Sequence, residues 1–196
     1  MKVLFLDVDG VLNSHRSAIA YGAMPWAHEL PDVSKFDHVA VGLIRGIAIA
    51  SGAFIVLSSA WRTCSNWGML GPALRLPIMD RTPRLLGPRG KEIAAWLADH
   101  PAVTQYAIVD DDPDMLPEQM PYFVKTHMHN GLTWQDAERL AELLGIRIFD
   151  ANRGRPLSAT GRTLQWDEPV NIQFTTDEAS APARWQAPAG VEGLKK

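Results

Sequence analysis

The stretch Val3-Leu4-Phe5-Leu6-Asp7-Val8-Asp9-Gly10 constrains this chain more than any other. Four apolar residues read as a buried strand, too short for a helix. The strand stops at two carboxylates spaced i, i+2, which an extended backbone points to one face. Gly10 follows at once and permits a turn that a residue with a Cβ resists. Paired acids after a buried strand lie at the carboxyl end of a sheet, where open α/β sheets bind ligands.

Two further apolar runs end in the same way. Phe54-Ile55-Val56-Leu57 runs into Ser58-Ser59-Ala60-Trp61-Arg62, and Tyr106-Ala107-Ile108-Val109 into Asp110-Asp111-Asp112-Pro113-Asp114. Helical segments separate these strands. Asp37 is placed to cap a helix over Val39, Leu43, Ile44, Ile47 and Ala50, ending near Gly52. Lys91 to Ala98 is a second helix, stopped by His100-Pro101. Thr133 caps a third, through Leu144, with Asp136 completing a capping box. Tyr122-Phe123-Val124 reads as a fourth strand and Ile146-Arg147-Ile148-Phe149 as a fifth. Short strands alternating with helices predict an α/β fold, a Rossmann-like three-layer sandwich around a central parallel sheet.

Two stretches interrupt this alternation, Ser14 to Lys35 and Thr63 to Gly90. Both are rich in turn formers and both read as excursions above the strand ends, the second with a short helix near Pro72 to Leu76. Neither is long enough for a large cap domain, so a minimal cap is expected. Residues 1–150 read as one domain. Residues 151–196 read as a C-terminal extension, with a hairpin between 164–166 and 170–174 and then a mobile tail rich in Ala, Pro, Gly and charge.

The balance of the chain narrows its partners. Its 196 residues are 46% hydrophobic and 21% charged with a net charge of −3, which supports a real core and argues against holding nucleic acid by bulk electrostatics. A lone Cys64 gives neither a disulfide framework nor a thiolate zinc site. No apolar run approaches the roughly 20 residues needed to span a bilayer, and no signal-peptide pattern precedes the first strand. A cytoplasmic protein without membrane partners is expected.

The strand ends therefore assemble an Asp pair, a Ser pair and an Asp cluster, with Lys91 at a helix start just before the third strand. Clustered carboxylates raise one another's pKa. A hard divalent cation resolves that conflict, and oxygen ligands beside a substrate phosphate suit Mg²⁺. Ser58 offers a hydroxyl to phosphate oxygens and Lys91 a point charge. An ionised Asp, a metal, a phosphate anchor and a cation make a phosphoryl-transfer site.

Four segments carry a resemblance to a known family: Phe5-Leu6-Asp7-Val8-Asp9-Gly10-Val11-Leu12-Asn13, Val56-Leu57-Ser58-Ser59-Ala60-Trp61-Arg62, Gly90-Lys91-Glu92-Ile93 and Ile108-Val109-Asp110-Asp111. In this order the chain resembles the haloacid dehalogenase superfamily, closest to the phosphatase domains of Swiss-army-knife RNA-repair proteins. The resemblance implies Asp7 as nucleophile, forming an aspartyl-phosphate, and Asp9 as the acid and then the base. An acid at the position of Asp9 favours a phosphatase over a dehalogenase. The resemblance further implies Mg²⁺ held by Asp7, the Asp9 carbonyl and the pair Asp110 and Asp111. Asp111 is the favoured direct ligand, with Asp110 or Asp114 acting directly or through water. Ser58 and Ser59 would bind the phosphoryl group, with Asn13, Arg62 and Lys91 also against substrate. Arg62, Arg89 and Lys91 compete for the cationic role, and Lys91 is preferred for its place at a helix start.

The substrate expected is a small-molecule phosphomonoester of nucleotide type, a nucleoside monophosphate, with a phosphorylated polynucleotide end as the alternative. A nucleic-acid-binding protein whose acids hold a structural metal is the reading from another class. The two excursions bring Arg16, Arg62, Arg81 and Arg84 together with Tyr21, Trp26, Trp61 and Trp67, and guanidinium beside indole suits phosphate beside a base. Trp61 reads equally as packing beneath the Ser loop. His127 and His129 read as loop residues rather than a metal site, and no catalytic role is expected for Cys64.

Overall fold

A computed structural model describes residues 1–27, 32–64 and 66–147, together with the strands 173–175 and 184–186. Among these residues the main sheet has five parallel strands: β1 Lys2–Leu6, β2 Ala53–Leu57, β3 Ile78–Arg81, β4 Gln105–Asp110 and β5 Phe123–Lys125. Their spatial order is β3-β2-β1-β4-β5, with β1 at the centre. The register sets Leu6 beside Leu57 and Val109, so the ends of β1, β2 and β4 are level.

Among the described residues, five α-helices accompany the sheet: α1 His15–Tyr21, α2 His38–Ser51, α3 Leu70–Leu74, α4 Arg89–Asp99 and α5 Trp134–Leu143. Strand alternation divides the core in two. Leu4, Leu6, Ile55, Leu57, Ala107 and Val109 face α2, α3 and α5. Val3, Phe5, Val56 and Ile108 face α4 through Ile93 and Trp96, with Phe5 edge-on to Trp96 at 5.4 Å. This is the three-layer α/β sandwich that the sequence predicts.

Local chemistry starts and stops the helices as expected. The Asp37 carboxylate accepts from the N–H groups of Val39 and Ala40 at 3.0 and 3.2 Å, and Gly52 closes α2 with φ +68°. Thr133 and Asp136 form the capping box of α5. The first excursion carries α1, whose Ser14 and Ser17 cap one another.

Two elements differ from the expectation. The fifth strand of the sheet is β3, inside the second excursion, and Ile146 and Arg147 belong to no strand. β3 escapes a periodicity reading because it has four residues, lies at an edge between Pro77 and Pro83, and turns Asp80 inward. That carboxylate accepts from Trp96 Nε1 at 2.7 Å, so a polar residue occupies a core-facing position. In the C-terminal extension, Gln173–Thr175 pairs antiparallel with Arg184–Gln186. The hairpin partner expected at 164–166, and residues 148–149 of the expected fifth strand, lie outside the described residues.

Candidate active site

The same alternation that divides the core aims the polar strand ends. Asp7 follows Val3 and Phe5 in parity, Ser58 follows Val56, and Asp110 follows Ile108, so all three face α4. Arg89, the first residue of α4, meets them there. Its Nη1 lies 3.1 Å from Asp7 Oδ1 and 3.0 Å from Asp110 Oδ2, and it also donates to the Ser58 carbonyl.

Arg89 is held from behind. The Asp114 carboxylate accepts from the Arg89 backbone N–H at 2.8 Å, and the Asp114 carbonyl from Gly90 N–H at 3.2 Å. Gly90 lets the helix start seat closely, since a Cβ there would lie 2.5 Å from the Leu116 nitrogen. Of the three cations in competition, the structure brings Arg89 to the carboxylates. Arg62 is buried and paired with the buried Glu92. Lys91 is exposed, its side chain lying over Gly87. Helix geometry explains the difference, because residues two apart sit on nearly opposite faces at 3.6 residues per turn. The signal was present in the stripe of Ile93 and Trp96, which extends back by one turn to Arg89 and not to Lys91.

Asp7, Asp110 and Asp111 each bring a carboxylate oxygen within 4.8 Å of the other two. Gly10, at φ +73°, allows this approach: a Cβ there would lie 2.5 Å from Asp111 Cγ. Burial and the charge of Asp7 push the Asp110 carboxyl up to about 8, with Arg89 pulling against them. Burial and Asp7 likewise raise Asp111. Burial opposes the charge on Arg89, yet Asp7 and Asp110 overcome it and hold the guanidinium above its usual value. One arginine does not balance three carboxylates, and Asp110 Oδ2 meets Arg89 as an ion pair without a hydrogen bond among the described residues. An oxygen-only donor set with surplus negative charge fits a hard divalent cation such as Mg²⁺.

The remaining predicted residues surround this centre. Ser58 is buried at the end of β2, and its Oγ has no hydrogen-bond partner among the described residues, a donor left for a ligand. Ser59 Oγ accepts from the Trp61 backbone N–H at 3.3 Å, capping a 3₁₀ turn over Ala60–Thr63. Asp9 Oδ1 accepts from Asn13 Nδ2 at 2.8 Å and Asp9 Oδ2 from Trp61 Nε1 at 2.9 Å. Burial raises the Asp9 carboxyl and these two donors pull it back. Asn13 Oδ1 also accepts from Gly10 N–H at 3.3 Å, so its amide serves the turn. Asp112 N–H donates to Asp110 Oδ1 at 2.9 Å.

Several side chains read from the sequence as substrate contacts are engaged within the protein. Trp61 is buried against Phe36, Arg81 stacks on Trp67 at 4.8 Å, Arg16 pairs with Asp37, and Tyr21 meets His38 edge-on. Trp26 and Arg84 are exposed. His127 and His129 lie on an exposed loop, where His129 Nδ1 contacts His15 Nδ1 at 2.7 Å.

Acids, a serine hydroxyl without a hydrogen-bond partner among the described residues and a half-buried arginine thus converge at the strand ends of a parallel α/β sheet. The profile of the HAD domain in Swiss Army Knife RNA repair proteins matches residues 3–137, and the chain belongs to that family. Neither the comparison with curated proteins nor that with solved structures gives a match. Among the described residues, no helix is long and apolar enough to cross a membrane.

Proposed function

We propose that this protein is a Mg²⁺-dependent phosphomonoesterase that works through an aspartyl-phosphate on Asp7. The observation that carries this reading is the juxtaposition of Asp7 with Arg89, Asp110 and Asp111, beside the unpartnered hydroxyl of Ser58. Asp7, Asp110 and Asp111, with the Asp9 carbonyl, would hold Mg²⁺, which supplies charge neutralisation to the nucleophile and the phosphoryl oxygens.

The chain's own groups then divide the work. Ser58 Oγ–H donates to a phosphoryl oxygen, and Arg89 offsets charge on Asp7 and on the group in transfer. The Asp7 carboxylate attacks phosphorus as the bond to the leaving oxygen breaks. Asp9 gives its proton to that oxygen, and burial favours the protonated form this step requires. Asp9 then takes a proton from the water that attacks the phosphorus of the aspartyl-phosphate, which frees Asp7 and releases inorganic phosphate.

For the substrate we propose a nucleotide-type phosphomonoester, a nucleoside monophosphate. The absence of an inserted cap domain among the described residues leaves an open approach, and Trp26 and Arg84 remain exposed in the two excursions for base and phosphate. A second reading, a phosphorylated RNA end, is favoured by the family's setting in RNA repair proteins. A screen with Mg²⁺ over nucleoside monophosphates, sugar phosphates and 3′- or 5′-phosphorylated oligonucleotides tests both. Higher kcat/KM for nucleotides or oligonucleotides is expected. Equal kcat/KM for a sugar phosphate would contradict either substrate class. A KM that rises steeply with salt would mark the strand end.

A further inference from the structure

Asp9 receives one donor on each carboxylate oxygen, and both donors are themselves fixed. Asn13 is tied into the Gly10 turn. Trp61 is 5% exposed, its backbone N–H is bound by Ser59 Oγ, and its ring lies against Phe36 at 5.6 Å. An indole N–H buried in apolar surroundings needs a partner, and here that partner is Asp9 Oδ2 at 2.9 Å. The contact joins the end of β1 to the segment after β2. Trp61 stands three residues beyond Ser58, on the 3₁₀ turn that Ser59 caps. One short segment thus presents both the hydroxyl for a phosphoryl oxygen and the N–H that orients the group facing the leaving oxygen.

We propose that Trp61 is a positioning residue: its indole N–H fixes the Asp9 carboxyl at the angle from which it passes a proton to the leaving oxygen. The proposal rests on the phosphomonoesterase reading and deepens it. As the Asp7–phosphorus bond forms and the bond to the leaving oxygen breaks, the Asp9 proton goes to that oxygen. A proton donor displaced by about 1 Å loses up to about 10²-fold in rate. The loss depends on how much the leaving oxygen needs the proton. An alkoxide needs it, and a nitrophenolate does not.

The test compares kcat/KM for an alkyl phosphate and for p-nitrophenyl phosphate, with Mg²⁺, in wild-type protein, Trp61→Phe and Asp9→Ala. A further variant replaces Trp61 with benzothienylalanine, which keeps the two-ring shape but puts sulfur in place of the N–H. It covers the case in which Trp61→Phe fails to fold. With the alkyl phosphate, both Trp61 variants are expected to lose about 10- to 100-fold in kcat/KM, with kcat/KM for the nitrophenyl ester little changed. In an Asp9→Ala background the same replacement should have no further effect, since the two residues act as one unit. Equal losses on both substrates, or an undiminished loss in the Asp9→Ala background, would show a structural role for Trp61 and overturn the proposal. A wild-type protein that hydrolyses neither ester, or an Asp9→Ala variant indifferent to the leaving group, would overturn the phosphomonoesterase reading itself and the proposal with it.

Discussion

Arg89 Nη1 stands 3.1 Å from Asp7 Oδ1, and the same nitrogen reaches Asp110 Oδ2 at 3.0 Å. One guanidinium at the start of α4 therefore bridges the acids that end β1 and β4. Helix and sheet periodicity together dictate the encounter. Asp7 and Asp110 share parity with Phe5 and Ile108, and Arg89 lies one helical turn before Ile93, on the same side of α4.

Arg89→Met should lower kcat/KM by about 10²–10³-fold, the range seen when one preorganised charge-stabilising donor is lost. Lys91→Met should change it little, because the Lys91 side chain is exposed and turned from the acids. Steady-state assays of both variants with Mg²⁺ check this. The reverse ranking would return the cationic role to Lys91.

Asp110 also predicts how metal-free stability varies with pH. Its folded-state carboxyl titrates at about 8, above the ordinary 3.8. Between those values the folded protein binds more protons than the unfolded chain, so stability falls as pH rises. The contribution is complete below the lower value and is lost as pH passes through the upper one. Asp9 and Asp111, raised in the same direction, add to the trend. A bound cation replaces the proton, so Mg²⁺ should raise Tm more at about pH 8 than at about pH 5. Thermal melts in EDTA and in Mg²⁺ across that range check it, and equal protection at both ends would contradict it.

The buried pair of Arg62 and Glu92 predicts a stability effect in place of a substrate effect. Glu92 also accepts from Leu85 N–H at 3.0 Å, so it ties the second excursion to α4. Glu92→Ala leaves Arg62 as an unpaired buried charge and should cost about 3–5 kcal/mol. Urea unfolding measures this. Unchanged stability with a raised KM for Arg62→Met would restore Arg62 as a substrate contact.

The central strands were legible because each is an apolar run followed at once by polar groups. The caps were legible because Asp37, Thr133 and Gly52 act within a few residues of themselves. β3 was not, since its pairing with β2 and the Asp80–Trp96 hydrogen bond are tertiary facts that no local period records. For the site, the strand-end acids could be read as a group, whereas the partners of Arg62, Arg89 and Trp61 could not. A long side chain reaches several neighbours from one backbone position, and only the packed α4 and Ser58–Thr63 segments decide among them. The aromatic residues of the excursions show the same limit: indole rings that suit a base also suit Phe36 or an arginine.

Covalent phosphorylation of Asp7 is the step on which the proposed mechanism turns, and it can be read directly. Asp9→Asn slows hydrolysis of the aspartyl-phosphate by removing the base, so incubation with Mg²⁺ and p-nitrophenyl phosphate, whose leaving oxygen needs no proton, should let the phosphoenzyme accumulate. Acid quenching, borohydride reduction and peptide mass spectrometry then locate the modified carboxyl. The predicted result is modification at Asp7, absent in the Asp7→Asn, Asp9→Asn double variant, with Asp7→Asn alone at least about 10³-fold slower in turnover. Trapping on another residue, or near-normal turnover by a folded Asp7→Asn variant, would contradict nucleophilic catalysis by Asp7.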